Sequence, residues 1–180
     1  MSLKTLPDYL ASGLNLVFVG INPGLYSAET GHYFATPRNR FWQAFNLAHL
    51  VEGDFGPEQD HLLLRRGIGF TDLVKRPTSG AAELTAQDFR QGAPLLKEKL
   101  LHYQPNIVSF HGVTAYGNYL KFCEGVKERL EPGMQPCTIG QSRVFVTPNP
   151  SPANAAYSLD TLVAWYVRLK EALRVPVTHA

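Results

Sequence analysis

The chain has 180 residues, 44% hydrophobic and 18% charged, which is enough for one domain with a full core and too apolar for a disordered chain. Seventeen Lys+Arg against fifteen Asp+Glu leave a net charge of +2, a balance that neither demands nor forbids a polyanionic partner, so any basic face must come from local clustering. Two cysteines, Cys123 and Cys137, are too few for a four-cysteine zinc or iron–sulfur site and fit a reducing, cytoplasmic setting. No apolar run approaches the ~20 residues of a membrane span, and no basic-then-apolar leader opens the chain.

Residues 7–13 read as a lead-in turn. Leu14 to Gly20 is an apolar run rich in Val and Phe, broken only by Asn15, and predicts a strand buried on both faces. Gly20-Ile21-Asn22-Pro23-Gly24 ends it abruptly. The two glycines are expected to take backbone angles that other residues resist, and Pro23 stops the ladder. Asn22 is then held at the carboxyl end of a buried strand, where open α/β sheets bind ligands; a turn in which Asn22 caps its own backbone accounts for the same residues. Ile21 to Pro37 reads as one loop, longer than the ~12–15 residues at which structureless connections become uncommon, and too aromatic for a solvated linker. Thr36-Pro37 predicts a helix start, with Thr36 as N-cap and Pro37 at the first helical position. Phe41, Trp42, Phe45, Leu47 and Ala48 form its apolar stripe, read as core. Arg38 and Arg40 fall in its first turn, against the helix dipole, a placement that points to a nearby anion.

Pro57 to Arg66 predicts a second short helix. Gly67 to Val74 predicts a second buried strand running into Lys75-Arg76-Pro77. Gly67-x-Gly69 precedes this strand instead of following one, which excludes a dinucleotide loop, while Asp72 puts a carboxylate at the end of the apolar run. Thr85-Ala86-Gln87-Asp88 is a capping-box start to a helix over 86–101. A third strand covers Asn106 to Phe110 and ends at His111-Gly112, and a helix follows from Val113 to Phe122. Met134–Ile139 and Arg143–Val146 read as strands around Gly140-Gln141. A polar, proline-rich loop, Thr147 to Asn154, precedes a final helix from Ser158 to Leu173. Strands alternating with helices predict a three-layer α/β sandwich over residues 1–180, with a mainly parallel central sheet and helices on both faces. The loops after the first and last strong strands would then share one carboxyl edge and bring Asn22 and Asn149 to one crevice.

Gly20-Ile21-Asn22-Pro23-Gly24 early and Asn149-Pro150-Ser151 late, with Phe34-Ala35-x-Pro37-x-Asn39-Arg40-Phe41-Trp42 and Arg76-Pro77-Thr78 between them, resemble the mismatch-specific uracil-DNA glycosylase and thymine-DNA glycosylase family over nearly the whole chain. The resemblance implies a uracil-glycosylase-type sheet and a hydrolytic reaction of base excision repair. The bond between deoxyribose and a mispaired or damaged pyrimidine is cut after the base is flipped out of the stack, leaving an abasic site. It implies no metal or organic cofactor, a monomer, and duplex DNA as partner, with single-stranded DNA left open.

By the same resemblance Asn22 positions the attacking water; an amide orients water without deprotonating it, and members with Asn here are expected to be slower than those with Asp. Ile21 and Phe34 match positions whose backbone N–H groups meet the base oxygens, and Phe34 also matches the ring that stacks on the base; a loop anchor in the core is its other reading. Gly24 and Ser27 match pocket positions, Ser27 near the pyrimidine C5. Asp72 stands where bacterial mismatch-specific relatives usually carry Lys and thymine-type relatives Asn. General-base assistance, typically ~10²–10⁴-fold, and an ion pair with Lys75 or Arg76 are both open for it. Asn149, Ser151, Pro152, Ala153 and Asn154 match the loop that enters DNA from the minor-groove side. There Ala153 is a poor wedge, the Pro-Ser-Pro-x-Asn form leans toward single-strand-selective relatives, and Asn154 is a candidate contact to the opposite base or a phosphate. Lys75, Arg76, Arg38 and Arg40 are candidate phosphate contacts, and His111 either lines the crevice or is a satisfied core histidine. A non-catalytic damaged-DNA-binding module on the same fold is the competing function; an esterase-type hydrolase lacks its Gly-x-Ser-x-Gly elbow.

Overall fold

The computed structural model describes residues 4–176. Five strands form one sheet in the order β2-β1-β3-β5-β4. β1 (Leu16–Gly20), β2 (Ile68–Asp72), β3 (Ile107–His111) and β5 (Ser142–Thr147) run parallel, and β4 (Gly133–Ile139) pairs antiparallel with β5 at one edge. Every residue of β1, β2 and β3 is buried, as in parallel strands covered on both faces, including the polar Thr71, Asp72, Ser109 and His111.

Alternation along the strands sends side chains to two cores. On one face Val17, Val19, Val108, Phe110 and Val144 meet Phe89, Ala93, Leu96 and Leu100 of helix α3 (Ala86–Tyr103) and Ala115, Tyr116 and Tyr119 of helix α4 (Val113–Tyr119). On the other, Leu16, Phe18, Phe70, Ile107 and Phe145 meet Phe41, Trp42 and Phe45 of helix α2 (Phe41–Leu47) and Leu162, Tyr166 and Leu169 of helix α5 (Leu159–Arg174). Phe18 centres this aromatic core, 5.2 Å from Phe41 edge-to-face and 5.8 Å from Phe70 in a stack. Such pairs add roughly 0.5–1.5 kcal/mol beyond area burial.

The lead-in segment guards the free edge of β2. Tyr9 and Phe70 exchange backbone hydrogen bonds of 2.9 and 3.0 Å. A Cβ at Gly69 would lie 2.3 Å from the Tyr9 carbonyl oxygen, so glycine is required there by this crossing, and Gly67, with φ +77°, closes the preceding helix in the left-handed region. That is the structural origin of the Gly-x-Gly spacing.

Several local expectations are corrected. The 21–37 segment is not one loop: it contains helix α1 (Leu25–Thr30), closed by Gly31 at φ +82°. The Thr36-Pro37 helix start is absent. Residues 36–39 form a turn in which Asn39 N–H donates to the Thr36 carbonyl at 2.8 Å, and α2 begins at Phe41, whose N–H is taken by Asn39 Oδ1 at 2.9 Å. Arg38 and Arg40 therefore precede the helical residues, Arg40 as the N-cap residue itself. The expected short helix over Pro57–Arg66 is present, as a 3-10 helix, and the expected helix from Val113 is present, α4 continuing into a π turn over Leu120–Glu124. Among the described residues no helix is long and apolar enough to cross a membrane, and no group of three His, Cys, Asp or Glu could hold a metal ion.

Candidate active site

The carboxyl edge of the sheet carries the site. β1 ends at Gly20, beside Asp72 of β2. Neither Gly20 nor Gly24 has a positive φ, contrary to the expectation from their motif. Gly20 is required for a different reason: a Cβ there would lie 2.6 Å from Asp72 Oδ1. Gly24, at φ −71° with nothing within 4 Å of its would-be Cβ, is not demanded by the protein's own packing.

Asn22 lies just beyond, half-buried. Its Nδ2 donates to the Arg76 carbonyl at 2.9 Å, to Thr78 Oγ1 at 2.7 Å and, more weakly, to the Pro23 carbonyl at 3.3 Å. Two of these partners are carbonyls that only accept, and the Thr78 hydroxyl spends its proton on the Gly80 carbonyl at 2.9 Å. The amide orientation is thereby fixed, and Oδ1 has no donor among the described residues. The same loop is strapped to Thr78 by Thr78 N–H to Pro23 O and Leu25 N–H to Thr78 O, both 3.1 Å. This explains why Arg76-Pro77-Thr78 accompanies the Asn22 motif in the sequence.

Phe34 is half-buried, with φ +55°, a left-handed conformation that non-glycine residues rarely hold without support. The support is visible on both sides. Tyr33 N–H donates to Asp60 Oδ2 at 2.9 Å, Ala35 N–H to Ser27 Oγ at 3.1 Å, and Trp42 Nε1 to the Tyr33 carbonyl at 3.0 Å. Ser27 is thus a buried brace of the Phe34 turn. One face of the Phe34 ring stacks on Phe41 at 4.1 Å, while Phe70 and His111 meet it edge-on. The backbone N–H groups of Ile21 and Phe34 have no acceptor among the described residues.

Asp72 and His111 end their strands on the aromatic face, on either side of Gly20. Asp72 is 5% exposed; its Oδ2 has no hydrogen bond and stands 3.6 Å from Lys75 Nζ. Burial pushes its carboxyl up to about 6, against the pull of Lys75. Lys75 is held more closely by Asp8, at 2.8 Å, so the Asp72–Lys75 pair leaves the carboxylate only partly compensated. His111 is fully enclosed, its Nε2 3.1 Å from the Tyr166 hydroxyl and its Nδ1 unpartnered. Burial lowers the imidazole to about 3 and keeps it neutral.

The 149–154 loop follows β5. Gly112, at φ +94° after β3, packs its would-be Cβ 3.3 Å from Asn149 Cβ, which joins the loop to the His111 end of the crevice. Asn149 Oδ1 accepts Ser151 N–H at 2.9 Å, Ser151 Oγ accepts Ala153 N–H at 3.3 Å, and Asn154 Nδ2 donates to the Asn149 carbonyl at 3.0 Å. Asn149, Ser151 and Asn154 therefore shape the loop, leaving Pro152 and Ala153 exposed at its tip. Asn149 Nδ2 makes no hydrogen bond within the described residues.

Arg40 is the member of the site that sequence reasoning misread. Its Nε and Nη2 donate to the carbonyls of Pro150, Ser151 and Asn154 at 3.4, 3.1 and 2.9 Å, Nη1 to that of Tyr157, and its backbone N–H to that of Pro150 at 3.2 Å. It staples the second loop to the start of α2 and is not a free phosphate contact. Arg76 is likewise committed, with a bidentate pair to Asp88 at 2.8 Å on each arm, and Lys75 to Asp8. Arg38 remains exposed. Two surface hollows of about 220 and 300 Å³ lie elsewhere, beside α4 and between α1 and the 56–59 turn, and neither includes Asn22, Phe34 or Asn149.

A profile of the Uracil DNA glycosylase superfamily matches residues 7–173. The fold is similar to the solution structure of a protein from Methanosarcina acetivorans described as a candidate uracil DNA glycosylase, with a TM-score of 0.61 and 21% sequence identity over 94% of this chain and 98% of that one. The match over almost all of the chain, on a sheet whose carboxyl edge carries Asn22 and Asn149, establishes that the chain belongs to the uracil DNA glycosylase superfamily.

Proposed function

We propose that the protein is a DNA glycosylase that hydrolyses the N-glycosidic bond of uracil mispaired in duplex DNA, in the manner of the mismatch-specific and thymine-type branch of the superfamily. The observation that carries this reading is the Asn22 amide. Its donor end is consumed by Arg76 O and Thr78 Oγ1, so its acceptor end is held ready for a water, beside two free backbone N–H groups at Ile21 and Phe34.

The extruded base lies on the face of Phe34 opposite Phe41. Heterolysis of the C1′–N1 bond places positive charge on the sugar and the bonding pair on the base. The Ile21 and Phe34 N–H groups receive the developing negative charge on a base oxygen, an arrangement worth about 3–4 kcal/mol per preorganised donor. Asn22 Oδ1 accepts one proton of the water and directs its oxygen at C1′. The proton released as C1′–O forms passes to Asp72, whose carboxyl near 6 suits a group that takes a proton close to neutrality. Asn149 Nδ2 donates to the departing base or the sugar at the opposite wall. The exposed Pro152–Ala153 tip approaches the gap left by the base; with only a methyl group at 153, strand separation depends little on a wedge.

The test is incubation with duplex DNA carrying one G·U pair, followed by alkali. A strand broken at the uracil position is expected. An intact strand at enzyme excess, with binding retained, would make the protein a damage-binding module instead.

A further inference from the structure

Trp42 carries a polar group that its place in the core does not need. The residue is buried and packs edge-on against Phe41, 4.9 Å between centroids, and Phe45, 5.8 Å, a role that an aromatic ring without an N–H would fill. Its indole Nε1–H donates to the Tyr33 carbonyl at 3.0 Å. That carbonyl belongs to the same peptide group as the Phe34 N–H. The indole therefore grips, from behind, the amide that carries a proposed donor to the base.

The surrounding turn leaves this one donor over. Of the four consecutive N–H groups from His32 to Ala35, that of His32 goes to the Ser27 carbonyl at 3.2 Å, that of Tyr33 to Asp60 Oδ2 at 2.9 Å and that of Ala35 to Ser27 Oγ at 3.1 Å. The Phe34 N–H has no acceptor among the described residues. A trans peptide sets its C=O and N–H on opposite sides. With the carbonyl turned toward the buried indole, the N–H points away from it, on a residue that is itself half-buried and reaches the surface. A carbonyl that accepts a hydrogen bond also draws electron density to its oxygen, which strengthens the N–H of the same amide as a donor by roughly 10–30%.

We infer that Trp42 is a positioning residue for base release, whose indole N–H aims the 33–34 peptide and strengthens the Phe34 N–H as a donor to the departing base. This rests on the glycosylase reading above, in which that N–H takes up the charge developing on a base oxygen. Asp60 and Ser27 fix the peptide groups on either side through their N–H, and Trp42 fixes the central one through its oxygen. The indole is the only partner of the Tyr33 carbonyl among the described residues. Without it the peptide is free to turn, and the donor leaves its line to the base. The contact with the base strengthens as negative charge grows, so the loss falls on bond cleavage and not on binding.

The experiment compares single-turnover cleavage of duplexes with uracil or 5-fluorouracil opposite guanine, by the wild type and by Trp42→Phe. Fluorine stabilises the anion of the departing base, so fluorouracil leans less on an external donor. In Trp42→Phe the uracil rate is expected to fall roughly 10-fold or more at unchanged duplex affinity. The fluorouracil rate falls by less, and the preference for fluorouracil over uracil widens roughly 3-fold or more. Replacing Trp42 by its benzothienyl isostere, with sulfur in place of the N–H, keeps the shape of the ring and decides the matter if Trp42→Phe does not fold. A uracil rate equal to that of the wild type, or a fall of the same size for both bases, overturns the inference while leaving the glycosylase intact. A wild type that cleaves neither duplex overturns the glycosylase reading and this inference with it.

Discussion

Two asparagines follow the carboxyl ends of β1 and β5, and the fold uses opposite ends of their amides. At Asn22 the nitrogen is spent on Arg76 O and Thr78 Oγ1 and the oxygen is free. At Asn149 the oxygen is spent on Ser151 N–H and the nitrogen is free. One residue type thus leaves an acceptor over at one strand end and a donor at another, and each is held by the very bonds that form its loop. The loops differ in their anchoring too. The Asn22 loop is tied to 76–78 through the Asn22 side chain itself. The Asn149 loop is tied to the start of α2 through Arg40, so the Asn149 amide carries less of the structure.

That contrast predicts opposite responses to the same substitution. Asn22→Asp should fail in both structure and function, because a carboxylate oxygen replaces the nitrogen against two carbonyls. We expect a loss of about 2–4 kcal/mol of stability by denaturant melts and roughly 100-fold or more in single-turnover rate, even though a carboxylate is the stronger base. Arg40→Lys should come next. It keeps the charge and loses the planar fork that reaches four carbonyls, so cleavage should fall roughly 10- to 100-fold, with weaker 2-aminopurine fluorescence from base extrusion. A variant as active as wild type would release Arg40 from the loop's positioning. Asn149→Asp should be milder: the acceptor for Ser151 N–H survives, the melting curve is unchanged, and only the donor is lost, for roughly a 10-fold drop in rate.

A further effect, read from its pH dependence, concerns Asp72. Its carboxyl is raised to about 6, so it is protonated below that value and available as a base above it. The wild-type rate should climb as pH rises through about 6 and then level off, whereas Asp72→Asn should show no rise in that window. Linkage gives the sign for stability. A folded pKa above the unfolded ~3.9 means that the native state holds the proton more tightly. Stability is then greatest below the unfolded value and declines as pH rises through about 6, and in Asp72→Asn that decline should vanish. An unchanged pH–rate profile in Asp72→Asn would remove Asp72 from the mechanism and leave it a structural neighbour of Lys75.

The sheet and its edge were legible because they rest on local patterns. Leu16–Gly20 is an uninterrupted apolar strand, Ile107–His111 is apolar at three of five positions, and the Asn22 and Asn149 motifs sit at strand ends. Helix α1 was hidden because Leu25–Thr30 is a single short stretch without a capping side chain, its only signal being Gly31 just past its end. Thr36-Pro37 carried a good helix-start signature, yet Asn39 two residues before Phe41 took the cap. Arg40 and His111 were illegible for a different reason. Their meaning lies in partners 110 to 117 and 55 residues away, and no periodicity reports which carbonyls a guanidinium will find or which nitrogen of an imidazole will stay unpaired. The same holds for the two asparagines: the motif places them, but only the tertiary acceptors settle which end of each amide is left over.

The most direct measurement is single-turnover cleavage of a G·U duplex by the wild type and by Asn22→Ala at equal, saturating protein. The account predicts an alkali-labile break at the uracil with the wild type and a rate roughly 100-fold or more lower with the variant, while both bind the duplex alike. A variant that cuts as fast as the wild type would contradict it.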